Sequence, residues 1–249
     1  MRKLIAAIMV AGATLVAGSA LAADFPYYPP VIEIPDVDYG VQGSFYLRGS
    51  AAGNYFWSKE GQGYDCNCAL VTNAFDTGGY GYSVGAGFGY ETGTGLRFDA
   101  TVDYIDNDGA SLTKTAPGVA GKYTLRLRST VALANVYYDF SFANGGFGAG
   151  YSAAGGMFAY VGAGAGVAFN NVDVASTNPG NQIVSGKNTS FAAAGMVGVG
   201  YDFGAFTADI GYRGLYVADI NNGAAVPQYV SSKNNWVHEI RSTLRYRFN

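Results

Sequence analysis

The stretch "NNWVHEIRSTLRYRFN", residues 234–249, decides how the chain folds. Every second residue from Trp236 gives Trp, His, Ile, Ser, Leu, Tyr and Phe. The residues between give Val237, Glu239, Arg241, Thr243, Arg245 and Arg247. A period of two belongs to a β-strand, so this segment has one apolar, aromatic side and one charged side.

The same alternation recurs upstream. Leu96, Phe98, Ala100, Val102 and Tyr104 oppose Arg97, Asp99, Thr101 and Asp103. Tyr123, Leu125, Leu127, Val131 and Leu133 oppose Thr124, Arg126, Arg128 and Thr130, and Phe206, Ala208, Ile210 and Tyr212 oppose Thr207, Asp209 and Arg213. Phe45, Leu47, Tyr55 and Trp57 oppose Ser44, Arg48 and Asn54, while Tyr80, Tyr82, Val84, Phe88 and Tyr90 alternate with glycines and Ser83. Two Gly/Ala-rich segments near 158–169 and 191–203 bring the number of strands to about eight, each near the roughly 9–11 residues a tilted strand needs to cross a bilayer. The connections alternate: long at 58–78, 108–122, 171–189 and 219–234, short at "ETGTG", "FANGGFG" and Gly204-Ala205. Long loops on one side and tight turns on the other predict an all-β, eight-stranded, antiparallel up-and-down transmembrane barrel with its long loops outside.

Composition agrees. The 249 residues include 37 Gly and 20 Tyr, with only 13% charged residues, which favours many strands and turns over helices. A net charge of −3 without a Lys/Arg cluster gives no reason to expect a nucleic-acid partner. Arg2 and Lys3, the apolar run that follows and Ala20-Leu21-Ala22 read as a cleaved secretory signal peptide over 1–22. Residues 23–40 hold four of the 7 prolines and read as an extended Pro-rich arm. The barrel is expected over 41–249.

Two features decide which face looks inward. Lysines lie in the signal segment, in loops or at loop edges, whereas every arginine but Arg2 sits on the polar face of a strand. A crowded interior favours guanidinium, which pairs with carboxylates through several hydrogen bonds. Aromatics gather toward strand ends, as in interfacial girdles. The expected lumen charge network is therefore Arg48, Arg97, Asp99, Asp103, Arg126, Arg128, Asp209, Arg213, Glu239, Arg241, Arg245 and Arg247. Counting from the loops pairs Asp103 with Arg126 and Arg128, Glu239 with Arg213, and Asp209 with Arg245. Eight arginines against four acids would favour anions if the lumen conducted; paired, they would plug it.

The chain resembles the small outer-membrane β-barrels of the OmpA-like and opacity type, especially the alphaproteobacterial proteins labelled "porin family". The signal peptide, the Pro-rich arm, "GSFYLRGSAAGNYFW" and the final "LRYRF" carry the resemblance. It implies a location in the cell outer membrane, contact with its lipid and lipopolysaccharide, and biogenesis through the β-barrel assembly machinery. It also implies an assembly signal at Tyr246 and Phe248, although Asn249 after Phe248 departs from the family pattern. The function expected is structural and surface-displaying, with polar outer loops meeting lipopolysaccharide or external partners. The alternative is a narrow porin passing small, anion-favoured solutes.

No enzyme, cofactor or metal site is expected. His238, the only histidine, falls on the apolar face beside Trp236, and Ser242 is roughly 13 Å away along the strand, too far to form a hydrogen-bonded pair. Cys66 and Cys68, in "DCNC" on the first long loop, could form a small, strained disulfide in an exported protein, but two thiols alone make a weak zinc site.

Overall fold

The computed structural model describes residues 43–65, 67–115, 120–142, 148–149, 155–177, 185–226 and 228–248. The chain divides into two units, Met1–Tyr39 and Gly40–Asn249. The signal peptide, the Pro-rich arm, Cys66 and Asn249 lie outside the described residues.

The second unit is built from strands β1 (Ser44–Trp57), β2 (Glu60–Tyr64), β3 (Leu70–Thr77), β4 (Gly79–Glu91), β5 (Leu96–Lys114), β6 (Gly121–Ser141), β7 (Gly148–Ala149), β8 (Gly156–Ser176), β9 (Gly186–Asp202), β10 (Phe206–Asn221) and β11 (Val230–Phe248). Eight of them form a closed antiparallel ring, β1-β4-β5-β6-β8-β9-β10-β11 and back to β1. Closure runs in unbroken register from Phe45↔Phe248 to Trp57↔Trp236. A closed ring leaves no edge in the bilayer, which is what makes such a sheet tolerable in hydrocarbon.

The first long connection is more ordered than a loop. It holds the β2–β3 hairpin, which joins β11 on one side and β5 on the other at the long-connection rim. The ring strands also reach further than expected, so the later long connections shorten to 115–120, 177–185 and 222–229. On the opposite rim the turns are tight. Gly204, at φ +95°, takes the left-handed conformation that lets Phe203 N–H reach Phe206 O at 2.8 Å.

The outward face is apolar across the middle of the ring. Phe88, Val102, Val136, Val161, Val197, Ile210, Ile240 and Leu244 are all exposed. Aromatic pairs in tilted or edge-to-face contact bound this belt at both rims: Tyr55–Tyr80 and Tyr216–Trp236 on the long-loop side, Phe45–Tyr90, Tyr201–Phe203 and Phe206–Tyr246 on the turn side. Apolar surface this extensive is stable only against lipid, so the barrel crosses a bilayer with its strands.

Candidate functional site: the filled lumen

Inward-pointing residues of all eight ring strands fill the barrel. On β4 they include glycines, whose missing side chains make room for the long ones opposite. A Cβ at Gly85 would stand 1.9 Å from Asp103 Oδ1. Into that room project six arginines: Arg48, Arg97, Arg213, Arg241, Arg245 and Arg247, all 9% exposed or less.

They form three tiers. In the tier nearest mid-barrel, Arg213 donates to Glu239 and to Asp103, both at 2.5 Å. Arg241 completes the square with Asp103 at 2.8 Å and Glu239 at 3.3 Å, and donates to Ser50 Oγ at 2.9 Å. Below it, Arg48 Nη1 donates to Asp99 at 2.7 Å and to Tyr137 Oη at 2.8 Å, and Asp99 also accepts from Tyr46 Oη and Asn135. At the turn-side end, Arg97 makes a two-point contact with Asp139 at 2.8 and 2.9 Å, and Arg247 binds Asp202 at 2.9 and 2.8 Å while also pairing with Glu91. Arg245 stands among Glu91, Asp139 and Asp209 at 3.8–4.0 Å, against the rings of Tyr46 and Phe158. Two-point guanidinium–carboxylate contacts are the strong form of this interaction, and leaving either partner alone in such an interior is costly.

Two of the three expected pairs come together, Glu239 with Arg213 and Asp209 with Arg245. The third does not. Asp103 binds Arg213 and Arg241, because Arg126 and Arg128 point outward, their side chains 48% and 38% exposed. On β6 the inward side chains are Tyr123, Leu125, Leu127, Val131 and Leu133, all buried, so the apolar face expected to meet lipid lines the lumen. The physical reason is that β6 runs past the membrane. Its outward face is polar down to Thr130 and apolar below, while its inward face stays largely apolar down to Leu133 and turns polar at Asn135 and Asp139.

The reversed segment matters. Phe56, Ile105, Leu127, Val131, Leu215, Val217 and Val237, each at most 2% exposed, belong to one apolar cluster toward the long connections, interleaved with the buried Asn54, Asn107, Ser129, Asn170 and Asn235. The charge balance also differs from the expected eight against four. Glu91, Asp139 and Asp202 join Asp99, Asp103, Asp209 and Glu239, so seven carboxylates face six arginines. Glu91 and Asp202 share the alternation of the inward glycines on β4 and β9, so extending that parity to the strand ends finds them. Asp139 was hidden by the reversed reading of β6.

The remaining candidates lie elsewhere. His238 is on the outward face, its Nδ1 2.6 Å from Tyr212 Oη and its ring between Tyr212 and Trp236. Tyr246 and Phe248 point outward at the turn-side rim, their rings edge to face. Cys68 is exposed, at φ 59° in the turn of the β2–β3 hairpin. Among the described residues no group of His, Cys, Asp and Glu is arranged to hold a metal ion.

The ring and its apolar belt define a small eight-stranded transmembrane β-barrel. Solved structures share the fold. Outer membrane protein OprG from Pseudomonas aeruginosa superposes with a TM-score of 0.52 at 15% identity, over 86% of this chain and 100% of that one. Neisserial surface protein A gives a TM-score of 0.50 at 20% identity, over 82% and 97%. No protein-family profile and no curated relative matches the sequence.

Proposed function

We propose that the chain is a non-conducting, non-enzymatic barrel that serves envelope structure and surface display in the outer membrane. In this reading residues 1–22 direct export, 23–40 form an arm, Tyr246 and Phe248 guide insertion by the assembly machinery, and the outer connections contact lipopolysaccharide or external partners. The observation that carries it is the filled lumen: charged tiers joined by hydrogen bonds and topped by a packed, largely apolar cluster whose buried polar side chains bond to one another. Water and ions need a continuous polar path, and hydrophobic constrictions close pores by dewetting.

A narrow, anion-favoured pore draws less support, because the seven inward carboxylates face six inward arginines and Lys114, which leaves no excess of positive charge. Single-channel recording on the purified protein in planar bilayers tests the reading. The expected trace is silent while the protein remains a folded, protease-resistant barrel. Discrete current steps, with either ion preference, would replace it with the pore.

A further inference from the structure

Arg126 and Arg128 stand on the outer wall of a membrane barrel, where side chains facing hydrocarbon should be apolar. Their position explains them. Arg128 lies one pleat, roughly 6–7 Å, above Thr130. Thr130 pairs across the sheet with Tyr104 on one side and Phe169 on the other, in the row of the outer aromatic girdle. The two arginines are therefore at head-group height. Arg126 is held by Asp106 at 2.7 and 3.1 Å, and Arg128 by Asp173 through one Nη. These bonds leave donors over, and Arg128 Nε is buried with no hydrogen-bond partner. Lys187, on β9, faces the same recess of about 590 Å³ and has no ion-pair partner among the described residues.

Directly below, the wall is shaped differently. Ala100, Ala132, Ala134 and Ala165 form the floor of a second recess, of about 660 Å³, beside Phe88 and Val102. Down β6 the outward residues run Arg128, Thr130, Ala132, Ala134, and down β8 they run Phe169, Val167, Ala165. One strip of wall thus carries cations on top, a belt of hydroxyl and aromatic groups in the middle, and a shallow apolar trough beneath.

We propose that this strip over β5, β6, β8 and β9 is a binding site for one phosphorylated, multiply acylated lipid of the outer leaflet. Its phosphate meets Arg128 and Lys187, and an acyl chain lies in the alanine trough. The proposal rests on the reading above that the long connections face outward. It moves lipid recognition from the loops to the wall. Guanidinium and ammonium donors select phosphate, and the small side chains select a chain that bulkier neighbours would push away.

The test uses the protein purified from outer membranes into detergent, with bis-phosphorylated lipid A as probe and native mass spectrometry to count bound lipid. The expected result is a one-to-one adduct. It weakens about tenfold in the combined variant Arg128→Gln and Lys187→Gln, consistent with loss of two exposed charge contacts. It weakens again in Ala134→Leu, which fills the trough but leaves the charges, and on replacing the probe with its dephosphorylated form. Unchanged binding in both wall variants, or equal binding of the dephosphorylated lipid, would overturn the wall site. If instead shortening the connections at 116–119 and 178–184 removes the adduct while the wall variants keep it, the lipid is held by the loops. The surface-contact reading then survives without the wall site. An adduct insensitive to the wall, the loops and phosphate alike would sink both.

Discussion

At the scale of single residues, the lumen is a problem in compensating buried charge. Arg213 and Glu239 sit opposite one another on β10 and β11, and each is almost fully buried. Their attraction offsets a desolvation cost of several kcal/mol per ion, so the pair adds little net stability, yet losing one member is expensive. Ser83 Oγ donates to Glu239 at 2.9 Å and Asp103 holds the far side of Arg213, so neither charge can turn toward water. Glu239→Ala should therefore destabilise the barrel by about 3–5 kcal/mol. Adding Arg213→Leu to that variant should cost much less than Arg213→Leu costs alone, because the partner charge has already gone. Urea unfolding of the barrel in lipid vesicles measures both effects. Simple additivity would mean that the two residues do not depend on each other.

At the scale of elements, the strands were legible from alternation alone, and most of the inward arginines were legible from the contrast between guanidinium and lysine. What alternation could not supply was how far each strand continues beyond the bilayer. On β6 the membrane ends near Thr130, and above it the inside must be apolar and the outside polar, so the pattern of Leu125, Arg126, Leu127 and Arg128 reads backwards. The β2–β3 hairpin was equally hidden, because its strands are short and their partners lie far away in sequence. That hairpin has a consequence for Lys114, the last residue of β5. Lys114 points inward beneath it, 6% exposed, with its ammonium 4.9 Å from the centre of the Tyr123 ring. Burial holds the Lys114 pKa below the usual lysine value. The unfolded chain, with the ordinary value, then binds more protons than the folded one between the two pKa values, so stability rises with pH across that window. Below it the ammonium is charged in both states and the folded state bears the full cost of its burial. Lys114→Met should thus stabilise the barrel by about 1–3 kcal/mol at pH 7. The gain should shrink as pH climbs toward about 10.4, the ordinary lysine value. Urea midpoints of both proteins from pH 7 to pH 11 check this, and a gain that stays constant with pH would assign the effect to packing.

At the scale of the whole molecule, two unlike barriers stand in series along one axis. The charged tiers occupy the turn-side half, and the apolar cluster from Phe56 to Val237 occupies the half toward the long connections. Each would stop ions for a different reason, the first by occupying space with bonded side chains, the second by excluding water. Transport in series is governed by whichever barrier remains, so opening one should leave the barrel closed. Arg213→Ala removes the central cation of the upper charged tier but leaves Leu127 and Leu215 untouched, so it should record as silent as the parent. The pair Leu127→Ser and Leu215→Ser admits water above but leaves the salt bridges below, and should be silent too. The three changes together should still be silent, because the Arg48 tier and the tier of Arg97, Arg245 and Arg247 remain filled below them, provided the combined variant still resists protease as a folded barrel in the same bilayers. If Arg213→Ala alone conducted, neither the apolar cluster nor the two lower charged tiers would be a barrier, and the Arg213 tier alone would seal the lumen.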